Sequence, residues 1–160
     1  MERALSHDSA MSQTASPRIL CIGIPVRDLT FRVQGVPARG SKVNATHLEE
    51  ICGGNALNAA IAIARLGGRA AICGPMGDAQ ESASRFIFEQ MTQEGIDTTP
   101  IVHMPGLFTP ISGIMIDPSG ERTKPKPGRR ARADIQIRGL LEKNFLYMRS
   151  HDLIIGTLFS

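Results

Sequence analysis

Apolar residues along most of this chain come in runs too short for helices, each cut off by glycine, proline or a polar cluster. Ile19 to Ile24 is such a run, bounded by Gly23 and Pro25, and it predicts a buried strand. From Phe31 to Glu50 the alternation weakens, with turn signals at Gly35, Pro37 and Gly40. Val43 to Ile51 mixes polar and apolar positions, as a strand covered on one face does. The period then lengthens, and Asn55 to Leu66 predicts a helix. Ala70 to Cys73 predicts another short buried strand. Gln80 to Glu94 predicts an amphipathic helix with Ala83, Phe86, Ile87, Gln90 and Met91 at helical spacing and Gly95 as its stop. Ile101 to Met104 and Ile111 to Asp117 predict strands, the second closed by the turn Asp117-Pro118-Ser119-Gly120. Strands alternating with helices imply an α/β fold, a mainly parallel sheet flanked by helices, with ligands bound beyond the carboxyl ends of the strands.

Composition narrows the class. At 160 residues, 42% hydrophobic and 21% charged, the chain fits one globular domain with a real core. No apolar run approaches the roughly 20 residues that a membrane helix needs, and no membrane partner is expected. Residues 1–17 are polar, without the basic start and apolar core of a secretory signal, and predict a disordered leader. Cys21, Cys52 and Cys73 are odd in number and lie in or beside apolar strand patterns. They read as small buried hydrophobes in a reducing, cytoplasmic protein, with Cys52 beside Gly53 the one to watch for a reactive thiol. The four histidines lack ligand spacing, so no metal site is expected from them. Residues 1–123 hold 10 Lys/Arg against 12 Asp/Glu, net −2, and residues 124–160 hold 8 against 3, net +5. That basic excess has no interleaved aromatics and reads as a solvated loop rather than a nucleic-acid contact.

The chemistry concentrates at Gly53 to Gly68. Gly53 and Gly54 allow a tight bend or a close backbone approach. Asn55 stands where an N-cap is wanted, and Asn58 projects one turn later from a surround of Ala and Ile, where an amide needs a partner. A helix start, two glycines and two amides converging on one point suit a polar, hydroxyl-rich or anionic ligand.

This run resembles the first signature of the ribokinase, or PfkB-type, carbohydrate kinase family. The resemblance extends to Ile19-Leu20-Cys21-Ile22-Gly23 followed by Asp28, to Gly74-Pro75-Met76-Gly77-Asp78 with Glu94-Gly95-Ile96-Asp97-Thr98, and to Ile114 through Thr123 with its Gly120-Glu121-Arg122. It covers roughly residues 19–123. It implies a ribokinase-like sheet with a small β lid from segments at about 31–52 and 109–123. It implies ATP with Mg2+ as the phosphoryl source and a small-molecule substrate phosphorylated on a sugar or sugar-acid hydroxyl, and leaves open a homodimer through the lid. Residue by residue, it implies that Asp28 accepts hydrogen bonds from sugar hydroxyls, that Gly53 and Gly54 let the sugar approach, and that Asn58 and the variable position Asn55 face it. Val26 stands where ribokinase-like members carry a sugar-binding Asn, which argues against ribose in particular.

The family's second signature, Asp-Thr-x-Gly-Ala-Gly-Asp with the catalytic base and anion hole, does not occur in this sequence. Nor does a Walker A loop. The resemblance therefore implies the acceptor-binding half of a phosphotransferase, without a catalytic residue of its own. The alternative is a catalytically inactive sugar-binding or regulatory remnant. After Thr123 the pattern breaks: 124–134 is basic with Pro125 and Pro127 and predicts a loop, and 135–160 predicts a divergent or truncated continuation. Within it Ile135 to Met148 carries helical spacing and Leu153 to Phe159 a strand-like run.

Overall fold

The computed structural model describes residues 17–124 and a strand at 153–156. The expected leader at 1–16, the basic loop from 125 onward and the helix expected over 135–148 lie outside the described residues.

Two four-stranded sheets carry the fold. The first is wholly parallel, in the order β5-β4-β1-β8, formed by β1 (Arg18–Ile22), β4 (Arg69–Met76), β5 (Ile101–His103) and β8 (Leu153–Gly156). The second is mixed, in the order β3-β2-β6-β7, formed by β2 (Val26–Arg32), β3 (His47–Gly53), β6 (Ile111–Ile116) and β7 (Arg122–Thr123). Helices α1 (Asn55–Arg65) and α2 (Ser82–Gln93) complete the described elements. The fold is the α/β arrangement that the strand and helix alternation predicts.

Strand β4 is buried at every position after Arg69, which is why its sequence is continuously apolar rather than alternating. Its neighbour β1 is buried from Leu20 on. Against them α1 buries Ala56, Leu57 and Ala60, and α2 buries Ala83, Ile87 and Met91. Those residues join Cys21, Ala70, Ile72, Met76 and Ile96 in one core cluster. Both helices stop as their glycines predict. Gly68 N–H donates to Ile63 O and Gly67 N–H to Ala64 O; Ile96 and Gly95 repeat this pattern onto Met91 and Thr92.

Three expectations change. Helix α2 starts at Ser82 rather than Gln80, because Asp78 Oδ1 accepts the Gln80 N–H at 2.8 Å and holds the preceding residues in a turn. Its buried face includes Ser84, a residue that hydropathy alone excludes. The serine hydroxyl lies 2.7 Å from Thr109 Oγ1 and donates to Glu81 Oε2 at 3.3 Å, so its burial leaves no orphan. Glu81 Oε2 also accepts the Thr109 N–H at 2.8 Å, and Thr109 Oγ1 accepts the Gly77 N–H at 2.8 Å. That cluster ties the end of β4 and the start of α2 to the segment entering β6. Finally, Val26–Arg32 is a strand of the second sheet, although only weak alternation marks it. Asp28 therefore sits inside a strand and not in a loop after β1.

Candidate functional site

The turn between β3 and α1 is where the two sheets meet the helix. Gly54 takes φ +94°, and a Cβ there would lie 2.4 Å from the carbonyl oxygen of Ile24. No side chain fits, so Gly54 and not Asn55 occupies the N-cap position, without a side-chain cap. Asn55 is the first helical residue. The first N–H groups of a helix lack intrahelical partners, and a glycine cap offers them no side-chain acceptor.

Gly53 is shaped by Asp28. The two lie on neighbouring antiparallel strands, in which Val26 pairs with Gly53 and Asp28 with Ile51. A Cβ on Gly53 would stand 2.2 Å from Asp28 Oδ2 and 2.7 Å from its Cγ. The carboxylate thus lies against bare backbone. Asp28 is 8% exposed, and its Oδ1 is buried without a hydrogen-bond partner. Lys124 Nζ stands 3.9 Å from the same oxygen.

Asn55 and Asn58 are both exposed and lie three residues apart on the stripe of α1 that also carries exposed Ala62. The expectation that Asn58 is an amide enclosed by Ala and Ile is corrected: those residues are its sequence neighbours, and the buried face lies on the side of Ala56, Leu57 and Ala60. The structure brings Asp28 and Gly53 into contact, sets Gly54 at the adjoining turn, and leaves both asparagines on the open side of the helix.

Two residues escaped the sequence reading. Thr30, two positions after Asp28 on the same strand face, is 4% exposed with an unpartnered buried Oγ1. Lys124 reaches the carboxylate from just beyond β7. No residue pattern flags Lys124; for Thr30 a strand assignment for 26–32 would have placed it beside Asp28. A hollow of about 260 Å³ lies elsewhere, on α2 and β5, lined by Ser84, Arg85, Phe88 and His103 among others, and contains none of the expected site residues.

Cys52, next to Gly53, is half-buried; burial first, then the charges of Asp28 and Glu94, push its thiol up to about 11. It stays protonated at neutral pH and is a poor nucleophile. Site-resolved iodoacetamide labelling of the folded chain at pH 8 should run on the order of a hundredfold slower at Cys52 than for an unperturbed thiol. Labelling at the ordinary rate would contradict the burial that holds the proton.

Among the described residues no three His, Cys, Asp or Glu side chains gather as a metal site requires, so none is assigned to Mg2+. No helix of the described residues is long and apolar enough to cross a membrane.

Asp28 on the mixed sheet thus lies against the glycines that lead into α1. Known proteins share the fold. The family model for pfkB family carbohydrate kinases matches residues 16–143. A candidate ribokinase from Agrobacterium tumefaciens is 34% identical, with a TM-score of 0.64, over 69% of this chain and 35% of its own. The ribokinase of Giardia lamblia is 27% identical, TM-score 0.61, over 69% and 35%. A ribokinase from Cryptococcus neoformans solved with ADP is 25% identical, TM-score 0.54, over 69% and 34%. The chain belongs to the PfkB family of carbohydrate kinases. It spans about a third of the length of these solved relatives.

Proposed function

We infer that this chain supplies the acceptor-binding part of an ATP-dependent carbohydrate kinase, with Asp28 gripping a pair of sugar hydroxyls above the start of α1. One observation carries the reading: a carboxylate nine-tenths removed from solvent keeps one oxygen without a hydrogen bond. A buried acceptor left unmade costs about 1–3 kcal/mol, and a sugar hydroxyl donating to it removes that cost. The bare backbone at Gly53 lets the carboxylate lie close to the start of α1, where Gly54 supplies no side-chain cap. Asn55 and Asn58 on the open stripe of the same helix add amide contacts.

Kinase chemistry asks the protein chiefly to position the attacking hydroxyl and to stabilise charge. ATP, when bound, supplies the phosphoryl group. In this chain Asp28 orients the acceptor, and no residue is assigned as the base for its proton. The 160 residues alone are therefore read as binding sugar without turning it over. A remnant that binds sugar for regulation shares this site; ADP release by the purified 160 residues would overturn the view, common to both readings, that they lack a catalytic group.

Binding itself is tested by the melting temperature of the chain in a panel of neutral sugars. A sugar-dependent rise is expected in the wild type, lost in Asp28→Ala and lost or greatly reduced in Asn58→Ala. Asn58 is exposed, so its removal leaves the unliganded stability within about 0.5 kcal/mol. A rise that survives both substitutions would show that the sugar binds elsewhere.

A further inference from the structure

We propose that the acceptor site is built for a polyol bearing a carboxylate, with Lys124 and Thr30 as specificity residues beside Asp28. The inference rests on the acceptor reading above and narrows it to a substrate class. Lys124 Nζ is 3.9 Å from Asp28 Oδ1, well outside the roughly 2.7–2.9 Å of a charge-assisted hydrogen bond. The ammonium is near enough to be held by the carboxylate and too far to spend its donors on it. Its side chain is 45% exposed, so a ligand can reach it. Thr30 brings a hydroxyl that both donates and accepts, buried and unpartnered on the same face of β2. Residues i and i+2 of a strand are about 7 Å apart, the length scale of a pentose or hexose. Three groups of different character therefore line one span: an acceptor at Asp28, a hydroxyl at Thr30 and a cation at Lys124.

Charge decides among ligands. Asp28 alone would repel an anionic acceptor. Lys124 offsets that charge and gives a carboxylate a direct partner. Arg27 does not enter, because it lies on the other face of β2, ion-paired with Glu50 and stacked 5.0 Å over the ring of Phe86. A phosphate ester brings nearly two negative charges against the single ammonium, so a carboxylate is the better match. The class is a sugar acid.

Titration calorimetry of the full 160-residue chain with D-gluconate, D-glucose and D-glucose 6-phosphate tests this. Gluconate is expected to bind at least tenfold tighter than glucose, and more tightly than glucose 6-phosphate, with an affinity that falls as salt rises. Lys124→Gln should weaken gluconate about tenfold and leave glucose within twofold. Thr30→Val, close to isosteric, should weaken gluconate and glucose alike by several-fold. Because Lys124 is exposed, its variant is expected to keep the wild-type melting temperature. If glucose binds through Asp28 as tightly as gluconate, or Lys124→Gln weakens both equally, the sugar-acid inference fails and the acceptor reading stands. Preference for glucose 6-phosphate overturns the carboxylate assignment. If none of the three binds, or Asp28→Asn leaves binding intact, the acceptor reading itself falls and takes the inference with it.

Discussion

Leu57→Ala is expected to remove about 2–5 kcal/mol of unfolding free energy, the cost of a cavity in a core that cannot close around it. Leu57 is fully buried, and it seats α1 on the parallel sheet beside Cys21 and Ile72. For a chain of this size each kcal/mol shifts the melting temperature by about 2–4 °C, so a drop on the order of 10 °C is expected. The same chemical change at Leu66, 88% exposed at the end of the same helix, should cost less than about 0.5 kcal/mol. Urea unfolding followed by circular dichroism measures both. Equal costs for the two leucines would mean that α1 does not pack as described. The consequence reaches the site, because Leu57 sits between Asn55 and Asn58 and sets the height of that first turn.

Gly53→Ala should damage both stability and sugar binding. The new methyl would stand 2.2 Å from Asp28 Oδ2, and a buried Asp has too short a side chain to withdraw. Overpacking of this kind costs about 1–3 kcal/mol, and the displaced carboxylate loses its grip on the acceptor. A double-mutant cycle isolates the cause. In an Asp28→Ala background the penalty of Gly53→Ala should largely disappear, because the obstructing oxygen is gone. Gly54→Ala should behave differently. Its clash is with the backbone oxygen of Ile24 at a φ of +94°, so its cost should persist whether or not Asp28 is present. A Gly53→Ala penalty unchanged by removal of Asp28 would show that the two residues do not meet.

These two glycines mark how far the sequence could be read. The helix after them, the strands at β1, β4, β5 and β6, and the glycine stops at Gly67 and Gly95 all follow from local period and turn chemistry, which are properties of neighbouring residues. That Gly53 is required by Asp28 is a statement about residues 25 positions apart, and only their pairing across β2 and β3 reveals it. The misplaced cap has a similar origin. Asn55 has the right chemistry for an N-cap, and the carbonyl of Ile24, fixed by another element, awards the position to glycine. Ser84 joins the buried face of α2 because of a partner 25 residues away, Thr109, which local periodicity does not register. Sequence neighbours place Lys124 at the start of a solvated basic loop. Its approach to Asp28 depends on the β6–β7 hairpin turning back beside β2.

The order of the parallel sheet sets a schedule for folding. Strand β1 pairs with β4 across about 50 residues of chain, and with β8 across about 130. Closing the longer loop costs only about 1 kcal/mol more entropy, too little to weaken the finished sheet. Its effect is on timing, since pairings between distant segments form slowly. On a growing chain β1 and β4 have both emerged long before β8 is made. Until β8 docks, one margin of β1 offers unpaired backbone donors and acceptors to any passing copy. For this protein the interval between synthesis of β4 and arrival of β8 is the period in which self-association competes with folding.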